Sequence, residues 1–109
     1  MSMIKPQDAG IVSTALPSRE EAKRIAHILL AENLVACVQL LDIESHYVWK
    51  GEMMAEPEVM LLAKTRTALF ESVIARIKAL HPYELPEIVA QPLAAGFAPY
   101  LSWIMERTS

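Results

Sequence analysis

Apolar positions change period several times along this chain, and each change marks an element. Ile11 to Leu16 is a short run with β-branched Ile, Val and Thr, halted by Pro17, and predicts a first strand. Ser18 then offers a helix N-cap, with Glu21 three residues on to complete a capping box. Behind them Ala22, Ile25, Ala26, Leu29 and Leu30 recur at helical spacing and predict a buried helix face that ends near Glu32 or Asn33. From Val35 to Trp49 the chain lacks Gly and Pro. From Gln39 onward it alternates, with Leu41, Ile43, Tyr47 and Trp49 on one side and Asp42, Glu44 and His46 on the other, which predicts a long strand broken at Lys50-Gly51. A stretch containing Pro57 follows. Glu58 to Lys64, apolar in nearly every position, predicts the hairpin partner, covered on both faces. Thr67 is placed to cap a second helix with Phe70, Val73, Ile74 and Ile77 inside, running until Pro82 forces His81 out of helical geometry. Ile88 to Leu93 predicts a fourth strand, and Pro99 the first turn of a last helix with Tyr100, Leu101, Ile104 and Met105 on its inner side.

The order strand, helix, strand, strand, helix, strand, plus a terminal helix, predicts an α+β fold of the split βαβ, ferredoxin-like kind (βαββαβ) with a long hairpin between its second and third strands. Residues 1–8 read as a flexible lead-in and residues 9–109 as one domain. Both helices would cover one face of the sheet. The strands carry apolar side chains on both faces, so the second face needs a cover from outside the monomer. Length points the same way: Val35 to Trp49 would reach roughly 50 Å at about 3.3 Å per residue, against a radius of gyration of about 13 Å for a chain of this size. A protruding hairpin tipped with Tyr47 and Trp49 invites aggregation unless a copy of the chain packs on it. A closed homo-oligomer anchored by those two side chains is therefore the expectation.

Composition narrows the function. Apolar residues make up 53% of the 109-residue chain, with only 3 Gly, enough core-forming material for one globular domain. Ten Lys and Arg against 13 Asp and Glu leave a net charge of −3, which argues against a nucleic-acid partner. The single cysteine, Cys37, forms no bridge within the chain and favours a reducing, cytoplasmic setting. No apolar run is long enough to span a bilayer, so no membrane partner is expected.

The chemistry-bearing residues each admit a plain reading. Cys37, between Ala36 and Val38, predicts a shielded core thiol, and His27, beside Lys23 and Arg24, a solvated histidine. His46 with Asp42 and Glu44 is either a solvated strand face or a loose set of donors for a divalent cation. The richest stretch is Leu80-His81-Pro82-Tyr83-Glu84-Leu85-Pro86-Glu87, where two prolines stiffen the backbone around two carboxylates and an imidazole. It is either a rigid connector or a connector that also lines a pocket. A Gly-rich phosphate loop, paired cysteines at metal spacing and a G-x-S-x-G turn are all missing from the sequence. RNA recognition on this fold needs aromatics on the central strands, and Ile11 to Leu16 and Glu58 to Lys64 have none. An acylphosphatase-like site would need a Gly-rich anion cradle beside Arg19 or Arg24, and that is missing too.

Taken together, Ala36-Cys37-Val38, Ser45-His46-Tyr47-Val48-Trp49-Lys50-Gly51, Lys64-Thr65, His81 to Ile88 and Tyr100-Leu101-Ser102-Trp103-Ile104 resemble, in order and spacing, the CutA divalent-cation tolerance proteins over about residues 10 to 106. The resemblance implies a ferredoxin-like subunit in a tight homotrimer, similar in build to the PII signalling proteins. It also implies a non-enzymatic cytoplasmic role in response to copper and other divalent metals. Copper coordination in the family is tied to a first-strand cysteine and to histidines before and within the His-Pro-Tyr motif. Here those positions are Ser13, Leu80 and His81, which leaves His81 as the metal candidate. Lys64, Tyr83, Glu84 and Glu87 are the ligand-cleft candidates, and Tyr47 and Trp49 the trimer-interface ones. Copper or another divalent cation is a possible ligand and not a requirement for folding. The alternative is a PII-like module that binds a small metabolite between subunits.

Overall fold

The computed structural model describes residues 4–109, and β1 (Ala9–Leu16), α1 (Arg19–Ala31), β2 (Cys37–Trp49), β3 (Glu52–Arg66), α2 (Phe70–Leu80), β4 (Ile88–Pro92) and α3 (Ala98–Arg107) follow one another in the expected order. The strands line up as β2-β3-β1-β4 with every neighbouring pair antiparallel, the split βαβ arrangement. Pairing starts the layering. Val12 and Leu16 of β1 and Val59, Leu61 and Ala63 of β3 share one face, and there they meet Ala22, Ile25, Ala26 and Leu29 of α1 and Val73 and Ile77 of α2 in the main core. The opposite face has a smaller cluster, in which Leu101 and Ile104 of α3 pack on Ala9 and Ala36. Arg66 secures α3 from the sheet by donating to Thr108 Oγ1 at 3.0 Å and to the Met105 carbonyl. Beyond α3 this face stays open, with Leu41 and Val89 exposed upon it. Among the described residues no helix is long and apolar enough to cross a membrane.

Local chemistry accounts for the joints. Ser18 caps α1 by accepting from the Glu21 amide at 3.2 Å. The reciprocal half of the expected capping box does not form, because the Glu21 carboxylate pairs with Arg24 at 2.7 Å. At the other end Asn33 takes a left-handed φ of 58°, and the amides of Asn33 and Leu34 reach back to the carbonyls of Leu30 and Leu29, a Schellman closure. Thr67 is not the helix cap. Its hydroxyl donates to the Gln7 carbonyl at 2.6 Å, and α2 begins instead through a 3-10 turn at Thr67–Leu69. Part of the expected lead-in, residues 1–3, lies outside the described residues. Pro6–Asp8 forms a 3-10 turn in which the Asp8 carboxylate accepts from the Lys5 amide at 2.9 Å.

The hairpin departs most from expectation. β3 starts at Glu52 rather than Glu58 and runs through Pro57. Pairing between β1 and β3 stops at Leu16 opposite Val59, so at Pro57 the strand has a neighbour on one side only, where a residue without an N–H is tolerated. The β2–β3 ladder continues to Trp49 opposite Glu52 and closes through Lys50 and Gly51, both at positive φ (50° and 82°), as a two-residue primed turn requires. The result is a protruding ribbon on a body whose principal extents are 54 × 27 × 21 Å. Two smaller corrections concern side chains. Cys37 is partly exposed, opposite Lys64, rather than shielded in the core. Tyr100 is exposed and stacks on Trp103 with ring centroids 5.6 Å apart, leaving Leu101 and Ile104 as the buried side of α3.

Close packing under α2 generates the first prediction. A Cβ on Gly10 would overlap Phe70 Cζ and stand 2.6 Å from the backbone oxygen of Gln91. Gly10→Ala is expected to lower the unfolding free energy by about 1–3 kcal/mol, since the β4 backbone must give way. Urea denaturation of the variant against the parent checks this.

Candidate functional site

Because β2 and β3 outrun the rest of the sheet, their open face forms one wall of a cleft, and the connector from α2 to β4 forms the other. The cleft is about 730 Å³ in volume, within the range of small-ligand sites. Strand alternation sends Tyr47 and Trp49 of β2 and Met54, Glu56 and Glu58 of β3 into it, while the connector supplies Tyr83, Glu84 and Glu87. Tyr47 donates its hydroxyl to Glu56 Oε1 at 3.0 Å, and Tyr83 donates to Glu58 Oε2 at 2.7 Å. Burial, followed by donation to the Glu58 carboxylate, pushes the Tyr83 phenol well above the ordinary tyrosine range. For Tyr47 the hydrogen bond to Glu56 is the first cause of an upward shift. Four carboxylates line the cleft and no Lys or Arg does. Glu58 is buried, yet among the described residues it forms no ion pair. A buried carboxylate satisfied by a neutral phenol leaves the cleft with uncompensated negative charge, which attracts cations and repels anions.

His81 is the hinge of the connector. Its Nε2 lies 2.8 Å from the Ala15 carbonyl oxygen, and its Nδ1 lies 3.2 Å from the Tyr83 amide nitrogen. A carbonyl only accepts and an amide only donates, so Nε2 carries the hydrogen and Nδ1 the lone pair, which fixes a neutral ring. Both nitrogens are thereby engaged within the protein. In this arrangement the ring ties the connector to the end of β1, and to ligate a metal through Nδ1 it would have to give up the Tyr83 amide.

Of the ligand-cleft candidates Tyr83, Glu84 and Glu87 line this cleft, with Tyr47 and Trp49 on the facing strand. Lys64 does not. It sits at the far end of β3 opposite Cys37, with its ammonium 5.4 Å from the centre of the Tyr100 ring. Ser13 and Leu80 also fall apart: Ser13 shares the open face of β1 with Ile11 and Ala15, whereas Leu80 packs against the main core. Of the Asp42, Glu44 and His46 set, Asp42 pairs with Arg19 at 3.0 Å, while Glu44 and His46 stay together with Oε2 and Nε2 2.8 Å apart. Among the described residues no three of His, Cys, Asp and Glu converge on a metal. Glu56 is absent from the sequence candidates because Pro57 reads as a break. The alternation Glu52, Met54, Glu56, Glu58 continues through it, and that was the signal.

The model of the CutA1 divalent ion tolerance proteins matches residues 10–107. This chain belongs to that family. The divalent-cation tolerance protein CutA of Thermus thermophilus is 46% identical over 99 residues, covering 90% of this chain and 96% of that protein. Among solved structures, CutA from Archaeoglobus fulgidus, described as periplasmic, superposes with a TM-score of 0.90 at 38% identity over 93% of this chain and 99% of that one. CutA from Xylella fastidiosa gives 0.90 at 35% identity, covering 94% of this chain and 99% of that one. The chloroplastic CutA 1 of Oryza sativa is 36% identical over 90% of this chain, which spans 56% of that longer protein. Membership fixes the ferredoxin-like α+β fold, and the CutA motif His81-Pro82-Tyr83 turns out to build a connector held by hydrogen bonds.

The same hydrogen bonds make stability depend on pH. Burial lowers the His81 pKa from its ordinary 6.5, against weaker opposing contributions from the Ala15 carbonyl, Glu58 and Glu21. The folded state thus prefers the neutral ring, while the unfolded state takes up a proton from about pH 6.5 downward. Stability contributed by His81 is complete above that pH and declines as pH falls through the folded value. The unfolding free energy should decrease from pH 7 to pH 5, and His81→Gln should flatten that part of the profile. Denaturant titrations at a series of pH values check it.

Proposed function

We propose that this chain is a homotrimeric, non-enzymatic metal-responsive protein of the divalent-cation tolerance type, whose acidic cleft takes up divalent cations reversibly. The observation that carries this reading is the cleft itself, lined by Glu56, Glu58, Glu84 and Glu87 with no Lys or Arg among the lining residues. Carboxylate and phenol oxygens suit hard and borderline divalent ions, Cu(II) included. The ligands do not converge as a preformed cage in a single chain, which supports exchangeable rather than structural binding. The names of the relatives support the link to divalent cations. Leu41, Tyr47 and Val89, exposed on a sheet face that α3 covers only at one end, support assembly with further copies of the chain. The single cysteine, partly exposed and unbridged, supports a reducing cytoplasm.

The PII-like alternative, a small metabolite between subunits, gains from the size of the cleft and loses from its charge. A nucleotide phosphate would meet four carboxylates and no cation.

Thermal shift separates the two readings, because a ligand that binds the folded state alone raises Tm. Cu(II) and other divalent ions should raise Tm in the parent and less in a Glu56→Gln/Glu84→Gln double variant, while ATP without metal should leave it unchanged. An equal rise in the double variant would remove the cleft from the proposal. Removal of metal by EDTA should leave the far-UV circular dichroism as it was, since the apolar core closes without an ion. Sedimentation should show a trimer that resists dilution, and Trp49→Ala should weaken it by about 2 kcal/mol or more if that ring is an interface anchor.

A further inference from the structure

The tip of the hairpin holds a second set of donors, outside the acidic cleft's carboxylates. His46, Tyr47, Val48, Met53, Met54 and Ala55 line a hollow of about 330 Å³. In the β2–β3 ladder His46 stands opposite Ala55 and Val48 opposite Met53, so His46 and Met53 are diagonal neighbours on one face, a spacing that long side chains bridge. Lower down, α1 and α2 cover this face. At the tip they do not reach, and Met53 is 87% exposed. A methionine so placed contributes nothing to the core, while its thioether remains a soft, polarisable donor.

The histidine is oriented by a partner of its own. His46 Nε2 lies 2.8 Å from Glu44 Oε2. A carboxylate accepts only, so Nε2 carries the hydrogen and the neutral ring keeps its lone pair on Nδ1. An imidazole backed by a carboxylate in this way is the arrangement that fixes tautomer and raises basicity in metal-bound histidines. The contrast with His81 is chemical: there both nitrogens are occupied, here one is free. Met54 borders the same hollow from the other side of the narrow ribbon.

We propose that His46 and Met53 form a binding site for a soft monovalent metal ion of the Cu(I) or Ag(I) class. Thioether and imidazole donors select such ions over the hard and borderline cations that suit the carboxylate cleft. The two sites would thus sort metals by softness within one hairpin.

The test is competition for Cu(I) against bicinchoninate under anaerobic reducing conditions. It is run in the parent and in a Cys37→Ser background, which removes the chain's only thiol. Binding should persist in Cys37→Ser. Met53→Leu and His46→Gln should each weaken it at least tenfold, and Glu44→Gln by about tenfold through the ring it orients. These positions are exposed, so the variants keep the fold. Ag(I) added to protein labelled with [13C]methyl-methionine should shift the Met53 methyl resonance, and Mg(II) should not. Parent-like Cu(I) affinity in both Met53→Leu and His46→Gln, or complete loss in Cys37→Ser alone, would overturn the proposal.

Discussion

Unequal strand length is the constraint from which the rest of the molecule follows. β1 has 8 residues and β4 has 5, whereas β2 has 13 and β3 has 15. Past Leu16 and Val59 the two long strands bond only to each other, and neither the helices nor the shorter strands reach far enough to cover them. A bare two-stranded ribbon is marginal by itself in water. Its persistence places strong demands on the primed turn at Lys50-Gly51 and on the cross-strand pairs beneath it. The cleft, the exposed apolar face and the donor-rich tip are all products of that overhang.

Against this ribbon the connector has to be held at a fixed height, and a histidine does so. By bonding the Ala15 carbonyl with one nitrogen and the Tyr83 amide with the other, His81 sets where Tyr83 can project, and Tyr83 in turn engages Glu58 on β3. The cleft is thus spanned by an unbroken path of hydrogen bonds from the end of β1 through the connector to the long hairpin. Negative charge accumulates there because the partners chosen for the glutamates are phenols. A lysine in either place would have neutralised the cleft and closed it as an ordinary surface ion pair.

Much of this was legible in the chain, and the failures are physically instructive. Period located β2, α1 and α2, because the alternation in β2 and the 3.6-residue spacing in the helices are both enforced by burial of one face. Pro57 misled because a proline excludes a central strand but not an edge, and edge status depends on where β1 ends, a tertiary fact. Thr67 misled because a hydroxyl has several uses, and the Gln7 carbonyl competed for it from sixty residues away. The cleft was half visible: the connector announced itself through its prolines and carboxylates, while the facing wall needed the register that sets Glu56 opposite Ser45. That His81 tethers the connector could not be read from its neighbours in sequence, since the carbonyl it bonds belongs to β1.

The overhanging ribbon also restricts how the chain can change length during evolution or engineering. Side chains on a strand alternate, so a single residue inserted into β2 alone would exchange Tyr47 and Trp49 for their neighbours on the other face and leave the ladder with a bulge. Residues added symmetrically, two to each strand, would keep every side chain on its own face and simply lengthen the arm. Homologous hairpins should accordingly differ in length by even, paired steps, and a loop graft at Lys50-Gly51 should be tolerated where a one-residue deletion between Ser45 and Trp49 is not.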